Sequence, residues 1–255
     1  TQAAAKGLYY QWGRKDPFPA APTLTGTTAT VGAPIYDGDN NEIKITNSSQ
    51  SSTADNNLAF AIANPTVCLS NYAQFNTSRD WLQADMSNDA LWGNPKGAER
   101  NETNDFLNKG AKSFYDPCPV GWRVPPADVF RNFTASGGYA WVIDDFDIAD
   151  ISGDGAKSLA DYDYGWTFNL SDSASSYFPA AARFDGSYAM LMGSMSGLWG
   201  SYWGNAPYPG DMFQGGAYSV LSFQIKDTAG NEMITTSPAG GGARADAYSV
   251  RCIRE

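Results

Sequence analysis

Tyr115-Asp-Pro-Cys-Pro-Val-Gly-Trp-Arg-Val-Pro125 gathers three prolines, a glycine and a cysteine into one short stretch. Proline locks φ near −65° and removes a backbone donor, so this run holds its backbone tightly. The chain on either side of it reads as β-rich. Leu8-Tyr-Tyr-Gln-Trp12 suits a strand, which Gly13-Arg-Lys-Asp-Pro17 ends in a turn. Pro126 at a first helical position, with Asp128 in the first turn, predicts a short helix through Val129 and Phe130 to Phe133. Tyr177 to Phe223 is dense in Gly, Tyr, Trp and Met, as in strands joined by tight turns. Ala247-Tyr-Ser-Val-Arg-Cys-Ile253 alternates sides and reads as the last strand.

The remaining segments are less regular. Residues 20–53 are rich in Thr, Gly, Asn and Ser and form an exposed excursion, with a strand-like piece at Glu42-Ile-Lys-Ile-Thr46. Asp55 or Asn56 can cap a helix through Leu58-Ala-Phe-Ala-Ile62 that Pro65 stops. Asp80-Trp81 and Leu91-Trp92-Gly93 read as aromatic loop anchors, 94–112 as a polar mobile stretch and 144–163 as an acidic loop. Nothing repeats at a fixed period and no linker divides the chain, so residues 1–255 count as one domain.

Composition narrows function more than fold. The chain has 255 residues, 42% hydrophobic and 14% aromatic, so it can bury a sizeable core and is not of disordered type. Its net charge is −10 and no segment concentrates Lys and Arg, which argues against nucleic acid and anionic membranes as partners. Histidine is absent, which excludes Ser-His-Asp and Cys-His catalysis and every His-containing zinc site. The opening residues TQAAAKGLYY hold no apolar signal core, so an export signal is expected upstream, already removed. Three cysteines are an odd count; Cys68, in Pro65-Thr-Val-Cys-Leu69, reads as a small buried hydrophobe.

Four blocks together resemble the FISUMP-type (major paralogous) domain of bacterial surface proteins, often found behind fimbrillin-like or other adhesin modules. They are Leu8–Phe18, Tyr115–Pro125, Tyr177-Phe-Pro-Ala-Ala182 through Gly200-Ser-Tyr-Trp203, and Tyr248-Ser-Val-Arg-Cys-Ile-Arg254, and they span nearly the whole chain. The resemblance implies an α+β, C-type-lectin-like fold related to formylglycine-generating enzymes: loop-rich, with short antiparallel strands and a few helices. It also implies that the N- and C-terminal strands pair and that Cys118 bonds Cys252. Closing so long a loop stabilises a chain by about 5 kcal/mol in the entropic picture. The expected setting is extracellular: the C-terminal part of a longer exported protein, on the outer membrane or a pilus of a Gram-negative bacterium. The chain departs from the family at Ala182, where glycine is usual, and at Gly204-Asn205, where Ser-Ser is usual; its 144–163 loop is also longer.

Several candidate sites follow. Asp150-Ile-Ser-Gly-Asp-Gly-Ala-Lys-Ser-Leu-Ala-Asp161 fits a twelve-residue calcium loop, with Asp150, Ser152, Asp154, Ser158 and Asp161 as oxygen ligands. The alternative is a solvated acidic turn. Leu198-Trp-Gly-Ser-Tyr-Trp-Gly-Asn-Ala-Pro-Tyr208 and Asp211 could form a glycan platform, because aromatic faces stack on sugars while amides and carboxylates bond hydroxyls. Trp199, Asn205, Tyr208 and Asp211 are the candidates there, while Tyr202 and Trp203, like Trp12 and Trp122, are assigned to the core. Asp144, Asp145 and Asp147 could supply a glycosidase-type carboxylate pair, but acidic clusters are usually solvated, and the expectation is no enzyme. Formylglycine-generating chemistry requires a C-terminal cysteine pair, and only Cys252 is there. Asp172-Ser-Ala174 and Asp227-Thr-Ala229 look like O-glycosylation acceptors of some anaerobic Gram-negative bacteria. The expectation is a non-catalytic adhesion module taking a glycan or protein ligand, with calcium as its one candidate cofactor, beside upstream domains or pilus subunits; a structural cap without soluble ligand is the alternative.

Overall fold

The structure, a computed structural model, describes residues 7–21, 24, 35–43, 46–47, 57–69, 80–82, 88–97, 99, 108–136, 143–186, 190–208, 216–224 and 233–255. In chain order the strands are β1 (Leu8–Gln11), β2 (Phe18–Pro19), β3 (Ile35–Tyr36), β4 (Glu42–Ile43), β5 (Thr46–Asn47) and β6 (Val67–Cys68). Then come β7 (Trp122–Arg123), β8 (Gly165–Ser171), β9 (Ala174–Pro179), β10 (Phe184–Asp185) and β11 (Met190–Leu191). The last five are β12 (Trp199–Tyr208), β13 (Gly216–Gln224), β14 (Met233–Ala243), β15 (Ala247–Ser249) and β16 (Ile253–Arg254). A mixed sheet runs β11-β10-β15-β12-β13-β14, with β1 joined to β15 and β2 to β1. The smaller pairs are β7–β16, β8–β9, β3–β4 and β5–β6.

This corrects the expected class. The protein is mostly β, not an α+β, C-type-lectin-like fold with a few helices: the described residues hold one α-helix, α1 (Leu58–Ala63). The helix expected over 126–133 is a series of turns ending in a 3-10 turn, Arg131–Phe133. Its bonds span three residues: Val129 N–H to Pro126 O, Arg131 N–H to Asp128 O and Phe133 N–H to Phe130 O. A three-residue period puts Phe130 and Phe133 on one side, where their rings stack with centroids 5.0 Å apart inside the core. The α1 cap is Asn57, whose side chain accepts from the Phe60 N–H; Asp55 and Asn56 lie outside the described residues.

The expected pairing of the chain ends is present. Tyr9 faces Ser249, Tyr10 faces Tyr248 and Gln11 faces Ala247 in antiparallel register. The last strand is shorter than its alternation predicted: Ala247, Tyr248 and Ser249 are all buried, and the chain then leaves the sheet to pair as β16 with β7. The strand expected over 42–46 is split between β4 and β5, with 44–45 outside the described residues.

β12 divides the interior. Alternate strand residues face opposite sides, so Tyr202 joins a core with Phe133, Phe168 and Phe178, while Trp203 joins one with Trp12, Trp81 and Trp92. Trp203 stacks on Tyr248 at 4.0 Å and donates its indole N–H to Tyr10 O. Buried cations are matched here. Arg244 lies over Trp12, 4.4 Å from the ring, and bonds Asp80 at 3.0 Å. Arg14 reaches the carbonyls at the C-terminal end of α1, among them Ala61 and Asn64, where the helix dipole favours a positive charge. Cys68 is fully buried, which pushes its thiol up to about 12 and leaves it an inert apolar group, as its sequence context suggested.

Ala182 has φ +66° and is buried, its N–H bonded to Trp199 O. The left-handed conformation costs an L-residue about 1–2 kcal/mol, and burial of the methyl returns about 0.8 kcal/mol. The position is therefore one that glycine fits equally well. Ala182→Gly is expected to stay within about 1 kcal/mol of the native stability, whereas Ala182→Val, branched at this φ, should lose more than about 2 kcal/mol. Urea denaturation reads both, and an unaffected Val variant would refute the assignment.

Candidate ligand-binding groove

The proline-rich stretch is organised by one buried carboxylate. Asp116 accepts from the Cys118 N–H at 2.8 Å and the Val124 N–H at 2.9 Å. Lys112 bonds the same carboxylate at 3.0 Å and also donates to the carbonyls of Cys118 and Trp122. The resulting knuckle presents Cys118 to Cys252, and the two form a disulfide with Cα atoms 5.8 Å apart, closing a separation of 134 residues. β16 is thereby held against β7, with Ile253 opposite Arg123 and Arg254 opposite Trp122.

That ribbon is one wall of a groove of about 670 Å³. The 3-10 turn Arg131–Phe133 and the β8–β9 hairpin complete it. Phe130, Phe133 and Phe178 give it an aromatic floor; Phe133 stacks on Phe168 at 4.4 Å, and Phe178 meets both Phe130 and Phe133 edge-on. The rim is polar, with Asn132, Asp147, Ser171 and Asp172 exposed and Arg251 and Arg254 on the C-terminal side. Trp122 lies at the edge, 44% exposed. This corrects its assignment to the core: β7 is a two-residue strand in a two-stranded ribbon, which leaves the side chain partly uncovered. An apolar floor with hydrogen-bonding groups on the rim suits a ligand that has both an apolar face and hydroxyls or charges.

Of the residues singled out from the aromatic run, the described ones, Trp199, Asn205 and Tyr208, are half-buried or buried. β12 is buried along almost its entire length. Trp199 is half-buried, donates its indole N–H to Ser222 Oγ at 3.2 Å and carries the Arg183 guanidinium 4.7 Å above its ring. Asn205 is buried; its amide accepts from Asn94 at 2.8 Å and donates to Lys109 O at 3.3 Å. It thus pins residues 94 and 109, within the stretch expected to be mobile, to the central strand. Tyr208 is half-buried beside Ala127 and Ala206, and Asp211 lies outside the described residues.

The acidic loop is closed by backbone amides. Asp150 accepts from the N–H groups of Gly153 and Gly155, both at positive φ (+75° and +79°), and from the Ser152 hydroxyl. Asp154 accepts from the Ala156 N–H. Asp161 is buried and takes the N–H groups of Ile151, Ser152 and Ser158, while Ser158 caps the 3-10 turn Leu159–Asp161. Among the described residues no group of three or more His, Cys, Asp or Glu side chains could hold a metal ion, and the oxygens of these five are engaged in hydrogen bonds within the loop. The glycine at the sixth position, Gly155, makes a turn at positive φ. Asp144 and Asp145 are exposed in a 3-10 turn, and Asp147 accepts from the Asn169 amide at 2.9 Å. Ser173 is exposed at the tip of the β8–β9 hairpin; residues 227–229 lie outside the described residues. Reading the sequence missed Asn132, Asn169, Arg251 and Arg254, whose only local signal is the pair of arginines flanking Cys252 and Ile253.

Compared with known proteins, the chain matches no protein-family model, no curated protein and no solved structure. Among the described residues no helix is long and apolar enough to cross a membrane. The Cys118–Cys252 bond points to an oxidising compartment.

Two measurements test this geometry. The double variant Cys118→Ser/Cys252→Ser should lose about 2–5 kcal/mol and expose residues 250–255 to hydrogen exchange before the main sheet opens; unchanged exchange there would contradict a groove wall held by the disulfide. Burial of Asp161 works to raise its pKa, but the amide donors of Ser152, Ser158 and Ile151 prevail and hold it below the ordinary aspartate value. A carboxylate with a depressed folded pKa stabilises above its unfolded value, about 3.9, and stops doing so as pH falls through the folded value. Exchange protection of the Ile151 and Ser158 amides should therefore persist down to about pH 4 and disappear only below it; loss near neutral pH would refute the amide cage.

Proposed function

We propose that this protein is a non-catalytic binding module displayed on the surface of a Gram-negative bacterium, and that it takes a glycan in the groove bounded by β7, β16 and the β8–β9 hairpin. The observation that carries this reading is the half-exposed Trp122 beside an aromatic-floored, polar-rimmed groove. A flat indole face covers the C–H face of a sugar ring, and Asn132, Ser171 and Asp172 lie within the same rim to bond hydroxyls. The surface setting draws on the disulfide and on the four blocks that resemble FISUMP-type domains. The adhesin role, with upstream domains or pilus subunits as neighbours, belongs to the same proposal.

A structural cap in a pilus or outer-membrane assembly is the second reading. Phe114 and Val120, 79% and 96% exposed in and beside the proline-rich stretch, favour it, because apolar side chains so placed suit a subunit contact. A glycan array probed with the native protein and with Trp122→Ala separates the two. The expected result is binding to a defined set of glycans that falls at least about tenfold in the variant, equal to about 1.4 kcal/mol, with little change in melting temperature. An array with no binding would remove the glycan reading and leave the cap.

A further inference from the structure

We propose that the groove selects acidic saccharides, taking the carboxylate of a uronic-acid-type sugar between Arg254 and Arg251 while Trp122 covers an adjoining ring face. The proposal rests on the glycan reading above and adds the charge of the ligand.

The chain is strongly acidic, at −10, yet it places two exposed arginines within four residues on a single groove wall. Arg251 is braced: its guanidinium donates to Tyr177 O at 3.3 Å and to Ser176 Oγ, and lies 5.0 Å from the Phe178 ring. A guanidinium so held loses little freedom when it meets an anion, and its planar fork matches a carboxylate. Arg254 stands opposite Trp122 in the β7–β16 register. It is exposed, and its side chain makes no hydrogen bond or ion pair with any described residue. The indole and the free guanidinium are therefore neighbours across the ribbon, one suited to a sugar face and the other to its acid group.

The opposite side of the groove carries negative charge. Asp147 is held there by the Asn169 amide, and Asp172 sits at the tip of the β8–β9 hairpin. The charges across the groove thus have a direction. A carboxylate is repelled from the hairpin side and drawn to the C-terminal wall, while Asp147 and Asp172 remain acceptors for hydroxyls. This polarity sets which way round an acidic sugar lies, which an apolar floor alone could not do.

Calorimetric titration of the 255-residue chain with trigalacturonate and with its methyl ester is the test. The free acid is expected to bind at least about tenfold more tightly, with the preference shrinking as salt rises. Arg254→Gln should remove that preference by weakening the free acid far more than the ester, and Trp122→Ala should weaken both ligands. Equal affinities for acid and ester would overturn the charge selectivity and leave the glycan groove standing. A preference that survives in both Arg254→Gln and Arg251→Gln would overturn the assignment of the arginines. Binding of neither ligand nor of any neutral sugar would overturn the groove itself.

Discussion

The buried carboxylate of Asp116 is the constraint on which the groove end of this protein depends. It gathers two backbone amides and the Lys112 ammonium, and Lys112 in turn holds the Cys118 and Trp122 carbonyls. The prolines around it reduce the conformations open to the chain, and the carboxylate selects one of those that remain. Cys118 is then aimed at Cys252, Trp122 is turned outward, and the last residues of the chain become a wall of a groove. A buried charge tolerates burial only when its donors are present, and here all three come from within eight residues.

A second polar centre ties the chain ends to the rest. The buried amide of Gln11 donates to Leu69 O and Ala245 O and accepts from the Leu69 N–H and from Arg14. Arg14 continues the network to the end of α1, and Arg244 bridges Trp12 to Asp80. The interior is therefore specified by directional bonds as well as by apolar contact, which fits a chain in which tryptophan fills so much of the core. β1 and β15 meet inside this network, which builds both strands into the core.

The proposal of a ligand at the disulfide-held ribbon rather than along β12 rests on how each is covered. A central strand with cores on both sides has no free aromatic face to offer. A two-stranded ribbon lying outside the main sheet leaves Trp122 44% exposed, and the covalent bond supplies the order that a pair of two-residue strands lacks. The acidic loop is also ordered from within: the carboxylates of Asp150 and Asp161 face backbone amide protons of the same loop.

What could be read from the sequence was what neighbouring residues decide among themselves. The strand at Leu8–Gln11, the stop at Pro65, the turn glycines of the acidic loop, the inert Cys68 and the rigidity of Tyr115–Pro125 all arise from local backbone chemistry. The partnership of Cys118 with Cys252, and of the first strand with the last, came from the order of four blocks resembling a known domain. Tertiary structure alone decided the rest: the mostly-β class, the exposure of Trp122, the burial of Asn205 and the meeting of Arg251, Arg254, Asn132 and Asp172 in one groove. The physical reason is that side-chain periodicity reports only that a residue has two faces, whereas which face is covered depends on segments a hundred or so residues away. Phe130 and Phe133 show the difference, since a helix signal that is sound locally gives way to a 3-10 turn once both rings must enter the same core.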